Sequence, residues 1–147
     1  MSHSTQIHIS FPSVLGYEKV ARDAVASFAK FVGFDSHRLE DIKTALGEAC
    51  INAIEHGNLL NADLRVHVLC TYEHNRFLVK VFDQGLKDYN KATKPISIEE
   101  KVAGLGTLRG MGLMIITELA DESAFFDESD GSSCLQLTWY CDLASKT

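Results

Sequence analysis

The stretch from Ser36 to Asn58 constrains the chain more than any other. It holds no proline, and Leu39, Ile42, Leu46, Ala49 and Ala53 recur at alternating spacings of three and four. That spacing puts them on one stripe of an α-helix, the face that packs on a sheet. Ser36 stands where an N-cap belongs, and Glu40 and Asp41 follow in the first turns, where the positive end of the helix dipole favours acids. Gly57 is suited to the left-handed conformation that ends a helix. A second face is less ordinary. Glu48, Asn52 and His56 lie four residues apart, so their side chains stack along one ridge, with Glu55 beside them. A merely solvated face would carry salt-paired mixtures of lysine, arginine and glutamate. A row of carboxylate, amide and imidazole can hold a metal ion and accept a proton.

The 147 residues suffice for one domain, spanning 1–147, that buries about 70% of its unfolded surface. An apolar fraction of 46% and a charged fraction of 23% are those of a soluble globular protein. A formal net charge of −6 argues against direct nucleic-acid binding, which needs a basic footprint. No apolar run approaches membrane-spanning length, and the N-terminus lacks the charged and apolar regions of a signal peptide. The expectation is a cytoplasmic protein with no membrane partner. Cys50, Cys70, Cys134 and Cys141 form no C-x-x-C pair and read as free, buried thiols.

Thr5 to Ser10 alternates as a first strand, broken by Phe11-Pro12-Ser13. From Val14 to Val32 a helix is predicted whose inner face carries Val14, Tyr17, Ala21, Ala24, Phe28 and Phe31, closed by Gly33. The central helix follows. Leu64 to Tyr72 alternates with period two, and Phe77 to Phe82 is a second strand across the polar turn Glu73 to Arg76. This strand ends on Asp83-Gln84-Gly85. Between Gln84 and Gly110 no strand is evident, and Ile98 to Val102 suits one short helical turn. A connection of that length inside a compact domain is a functional lid or a disordered segment. Leu113 to Leu119 then reads as a third helix, and Glu122 to Phe126 and Ser133 to Tyr140 as two more strands. Helices over one face of a mostly antiparallel sheet is the economical architecture.

Gly104, Gly106, Gly110 and Gly112 crowd the approach to the third helix. Their spacing is not G-x-G-x-x-G after a strand, which argues against a dinucleotide site, and no P-loop motif occurs. Glycines running into a helix N-terminus do offer backbone N–H groups and a positive dipole end to an anion. Taken alone, they read equally well as a flexible loop.

Three elements in order carry more than any one of them: Glu-x-x-x-Asn-Ala-x-x-His-Gly from Glu48 to Gly57, Asp83-x-Gly85, and Arg109-Gly110-Met111-Gly112-Leu113. Together they resemble the ATP-binding fold shared by DNA gyrase, histidine kinases and the MutL repair proteins. Within it the chain looks most like the anti-sigma factor serine/threonine kinases. Phe11-Pro12-Ser13 before the first helix and the closing Gly131-Ser132-Ser133 strand fit the same resemblance, which covers nearly the whole chain.

The resemblance implies a two-layer α/β sandwich of the Bergerat type. Its mixed, mostly antiparallel sheet would be covered on one face by three helices, with an ATP lid at about residues 84–110. It implies ATP and Mg²⁺ as cofactors, phosphorylation of a serine or threonine on an anti-anti-sigma antagonist, sequestration of a sigma factor, and a homodimer. Carried onto these residues, Glu48 would be the catalytic base and Asn52 the metal ligand, its amide oxygen facing Mg²⁺. Asp83 would accept a hydrogen bond from the adenine amino group, with Gly85 letting the backbone approach the base. Gly110 and Gly112 would present N–H groups to the phosphates, Arg109 would add charge, and Gly104 and Gly106 would hinge the lid. His56 is assigned to the same nucleotide pocket, although an imidazole at a helix C-terminus is favourable without a ligand too. Lys87 stands where these families often have a second glycine. No phosphoacceptor-histidine helix pair precedes the domain, which argues against histidine kinase activity. Two alternatives are a nucleotide-binding partner switch without turnover and a sensor module with other partners. An intact Glu48 favours the enzyme.

Overall fold

A computed structural model describes residues 4–85, 94–96, 107–127 and 131–141, with the backbone alone at 94–96 and 107–111. The elements run β1 (Thr5–Pro12), α1 (Tyr17–Val32), α2 (Ser36–Asn52) continued by a π-helical turn (Ala53–Gly57), and β2 (Arg65–Glu73). They continue β3 (Arg76–Asp83), β4 (Lys94–Ile96), α3 (Thr107–Leu119), β5 (Glu122–Asp127) and β6 (Ser133–Tyr140). The six strands form one sheet in the order β1-β2-β3-β6-β5-β4, and every pairing is antiparallel.

The register aligns apolar rows across the sheet. Val68 faces Val81, which faces Leu135, and Phe77 faces Trp139 two rows on. These side chains are buried beneath Ala21, Val25 and Phe28 of α1, Ile42, Leu46 and Ala49 of α2, and Leu113 and Ile116 of α3. Phe28 and Phe34 lay their rings against Phe77, at centroid distances of 5.4 and 5.5 Å. The Trp139 indole N–H donates to the Leu119 carbonyl at 2.8 Å, tying the end of α3 to the sheet. α2 lies between α1 and α3 and touches both. The four cysteines are free and buried. Burial pushes the Cys70 thiol up to about 12 and raises Cys50 further, so neither is a nucleophile at neutral pH. No helix among the described residues is long and apolar enough to cross a membrane.

Several boundaries differ from expectation, each for a physical reason. β1 runs on through Phe11 and Pro12, because it is an edge strand and an edge tolerates a missing N–H. α1 begins at Tyr17, and its buried face is Glu18, Ala21, Val25, Phe28 and Ala29, so Val14, Tyr17, Ala24 and Phe31 lie outside. The N-cap of α2 is Asp35, whose carboxylate accepts the Arg38 N–H at 2.9 Å, and Ser36 is the first helical residue. β4 is a short strand inside the segment read as strandless, paired with β5. α3 begins at Thr107, six residues before Leu113, and so encloses Gly110 and Gly112. The packing of Leu113 and Ile116 outweighs the roughly 1 kcal/mol that each interior glycine costs. Gly104, Gly106, Lys87, the Ile98 to Val102 turn and most of the expected lid lie outside the described residues.

Candidate functional site

Asp83 is the last residue of β3 and shares the sheet face of Phe77, Val79 and Val81, so strand alternation aims its carboxylate beneath the helices. It is 8% exposed. Opposite it on β6 stands Ser133, which donates its backbone N–H to Oδ1 at 3.1 Å and its hydroxyl to Oδ2 at 2.5 Å. From the helix side the carboxylate meets Gly57. A Cβ at that position would sit 2.1 Å from Asp83 Oδ2. Gly57 therefore does not end the helix in a left-handed conformation, since its φ is not positive. It is glycine because a buried carboxylate occupies the space a side chain would need.

Asn52, His56, Asp83 and Ser133 are the polar groups of one cleft, walled by Ala49, Ala53, Val81, Leu113, Phe125 and Leu135. Apolar walls with a few convergent polar groups are what a planar, hydrogen-bonding ligand requires.

At the other end of the row α3 comes close to α2. A Cβ on Gly112 would lie 3.0 Å from Glu48 Oε2 and 3.7 Å from Asn52 Nδ2. Gly112 sits in the second turn of α3, where its N–H belongs to the helix ladder. The structure shows the room it leaves beside Glu48 and Asn52. The Asn52 side-chain nitrogen is buried with no hydrogen-bond partner among the described residues. An unmet buried amide donor costs about 1–3 kcal/mol, a cost a bound ligand can remove. Glu48 is half-buried and also borders the groove between α1 and α2, which Arg22 and Lys43 line.

The structure thus brings Glu48, Asn52, His56, Gly57, Asp83 and Gly112 together. Gly85 follows at the turn, with φ +73° and its missing Cβ filled by the Gly131 carbonyl. Arg109 and Gly110 fall in the first turn of α3, where the backbone alone is described. Among the described residues no three His, Cys, Asp or Glu side chains form a ready metal cage. The amide oxygen of Asn52 suits Mg²⁺, a hard ion held chiefly through substrate phosphates and water.

Sequence reasoning missed Asn58, which is fully buried. A glycine-asparagine pair after a helix signals a turn, and nothing local marks the asparagine as interior. Ser133 entered only as part of a strand. Its facing of Asp83 is a matter of register, which the chain order does not display.

A profile described as the histidine kinase-like ATPase domain matches residues 11–139. The chain belongs to this family. The ATPase domain is 27% identical over 135 residues to an anti-sigma F factor of Bacillus subtilis, covering 90% of both chains. It is 30% identical over 126 residues to the serine-protein kinase RsbW of Bacillus thuringiensis, covering 83% of this chain and 78% of that one. To an anti-sigma F factor of Thermoanaerobacter pseudethanolicus it is 31% identical over 111 residues, 72% and 77% of the two chains. Two solved structures share the fold. The RsbU and RsbW domains of a Mycobacterium tuberculosis protein superpose with a TM-score of 0.66 at 18% identity. That match spans 92% of this chain but only 32% of the other. The SiaB–SiaC complex of Pseudomonas aeruginosa gives 0.64 at 13% identity, covering 90% and 88%.

Proposed function

We propose that this ATPase domain is a protein serine/threonine kinase acting as an anti-sigma factor. It transfers the γ-phosphoryl group of Mg·ATP to a hydroxyl on a small antagonist protein, and as a homodimer it holds a sigma factor in alternation with that antagonist. The observation that carries the reading is the placing of Glu48 and Asn52 one helical turn apart, beside a cleft with a buried carboxylate at its far end. The names of the relatives support the kinase class and the partner class.

Asp83, oriented by Ser133, accepts the adenine amino group while Val81, Phe125 and Leu135 cover the base. Asn52 turns its amide toward the phosphates and their metal. Mg²⁺, when bound, neutralises phosphate charge in the transition state. Glu48, one turn away, takes the proton from the acceptor hydroxyl as its oxygen attacks the γ-phosphorus. The bond from phosphorus to the bridging oxygen breaks, and ADP leaves. Aligning the hydroxyl with the phosphate supplies most of the catalysis, and a positioned base adds roughly 10²–10⁴-fold.

The two residues should fail differently. Asn52→Ala should lose metal-dependent nucleotide binding and transfer together. Glu48→Ala should keep near-normal ATP affinity and lose roughly 10²–10⁴-fold in transfer rate. A single-turnover assay with labelled ATP and candidate antagonists, beside calorimetric titration of each variant, measures both. Wild-type transfer by Glu48→Ala would remove it as the base. ATP binding by the wild type without transfer to any antagonist would leave a partner switch with no turnover.

A further inference from the structure

Asn58 does not line the cleft, yet its side-chain oxygen holds the turn beside Asp83. Its side chain is fully buried between the end of the π-helical turn, the loop after β1, the start of β2 and the exit of β3. Nδ2 donates to Ser13 Oγ at 2.6 Å and to the Arg65 carbonyl at 3.0 Å. Oδ1 accepts the Gln84 N–H at 2.8 Å and the Gly85 N–H at 3.0 Å. A primary amide has two donors and two acceptor lone pairs, and this one uses all four. The Gln84 side chain in turn accepts the Arg65 N–H, closing the same loop.

Gln84 and Gly85 directly follow Asp83, at the point where β3 leaves the sheet. Once the ladder ends, their N–H groups have no strand partner, and one carbonyl oxygen from a distant element holds both. The Asp83 carboxylate is consequently fixed twice. Ser133 grips its oxygens from β6, and Asn58 fixes the backbone that carries it. Ser13 serves the other half of the cluster, donating its hydroxyl to the Leu64 carbonyl at 2.9 Å, and has no bond to the 84–85 turn.

We infer that Asn58 is a positioning residue that sets base selectivity, by fixing the Asp83-Gln84-Gly85 turn against the adenine edge. The inference rests on the nucleotide reading proposed above. A carboxylate accepts a hydrogen bond from the exocyclic amino group of adenine and repels the carbonyl oxygen that guanine carries at that position. The discrimination lasts only while the carboxylate keeps its place. Loosening the turn should therefore cost ATP more than GTP, whose phosphates bind elsewhere in the cleft.

The test is titration of ATP and GTP into wild type, Asn58→Ala, Asn58→Asp and Ser13→Ala, with unfolding of each variant followed in parallel. Asn58→Ala should lose roughly tenfold in ATP affinity and much less in GTP affinity, so the ratio collapses. Asn58→Asp keeps an acceptor for both N–H groups and loses the donors. It should be less stable yet keep the ratio within about threefold of wild type. Ser13→Ala should lose stability and leave the ratio unchanged, which separates positioning from general loosening. A folded Asn58→Ala with the wild-type ratio, or an equal fall in Ser13→Ala, overturns the inference. Should Asn58→Ala not fold, a ratio kept by Asn58→Asp supports the inference and a ratio lost overturns it. A wild-type protein that binds neither nucleotide would overturn the functional reading, and this inference with it.

Discussion

Gly57 shows how two local effects of opposite sign are decided by a distant contact. In a helical turn, glycine to alanine is worth roughly 0.5–1 kcal/mol of stabilisation, because alanine has fewer unfolded conformations to lose. Here the new methyl would stand 2.1 Å from a carboxylate oxygen that Ser133 holds in place. That carboxylate is not the free end of a flexible side chain. Overpacking of this kind costs about 1–3 kcal/mol, which exceeds the helical gain. Gly57→Ala should therefore lower the denaturant midpoint and weaken ATP binding. A variant as stable as wild type would mean that Asp83 can move aside. The sequence alone suggests a helix terminator at this position, since only the register of β3 brings Asp83 there. Asn58 and Ser133 were hidden for the same reason. Glu48 and Asn52 were legible because they stand one α-helical turn apart, and His56 follows in the π-helical turn that continues α2.

The elements were legible where one period dominated. β2 alternates, and its inner row follows from that alternation, whereas β3 is apolar from Phe77 to Phe82 except for Lys80 and its inner row is fixed by pairing with β2. α1 is a helix as the spacing predicts, but its buried face differs from the predicted one. Its inner row begins with Glu18, an acid 7% exposed that accepts the Gly16 N–H at 2.5 Å. A buried charge breaks the apolar stripe, so the pattern shifts to Tyr17 and runs through Phe31, which is 88% exposed. Phe28, common to both patterns, is 6% exposed and packs on Phe77. Phe28→Ala should cost about 3–5 kcal/mol, as a large side chain lost from a packed core does. Phe31→Ala should fall within about 0.5 kcal/mol of wild type. Urea unfolding of the pair measures the difference, and comparable losses would contradict the observed face of α1. β4 escaped notice because three residues including Pro95 are too short to show a period.

At the scale of the whole molecule, the order of motifs along the chain was legible and the order of strands in the sheet was not. Nothing in the sequence states that β6 lies between β3 and β5, yet that insertion sets Ser133 opposite Asp83. The cleft draws on α2, β3, α3, β5 and β6, so a ligand filling it ties together parts that separate on unfolding. A ligand binding only the folded state, present at a hundredfold excess over its dissociation constant, stabilises it by about 2.7 kcal/mol. For a chain of this size that raises the melting temperature by roughly 5–10 °C. Mg·ATP should give a shift of that order in the wild type. Chelation with EDTA should reduce it, because uncompensated phosphate charge then faces the site. The two ridge residues divide the effect. Asn52→Ala should give the same, smaller shift with and without EDTA, since the proposed role of that amide is to secure the metal-dependent part of the stabilisation. Glu48→Ala should keep the full metal-dependent shift, because the proposed role of Glu48 places it at the acceptor hydroxyl rather than at the nucleotide. Differential scanning fluorimetry of the three proteins, each with ATP in Mg²⁺ or in EDTA, reads all these terms at once. A wild-type shift indifferent to EDTA would place the metal end of the nucleotide away from Asn52.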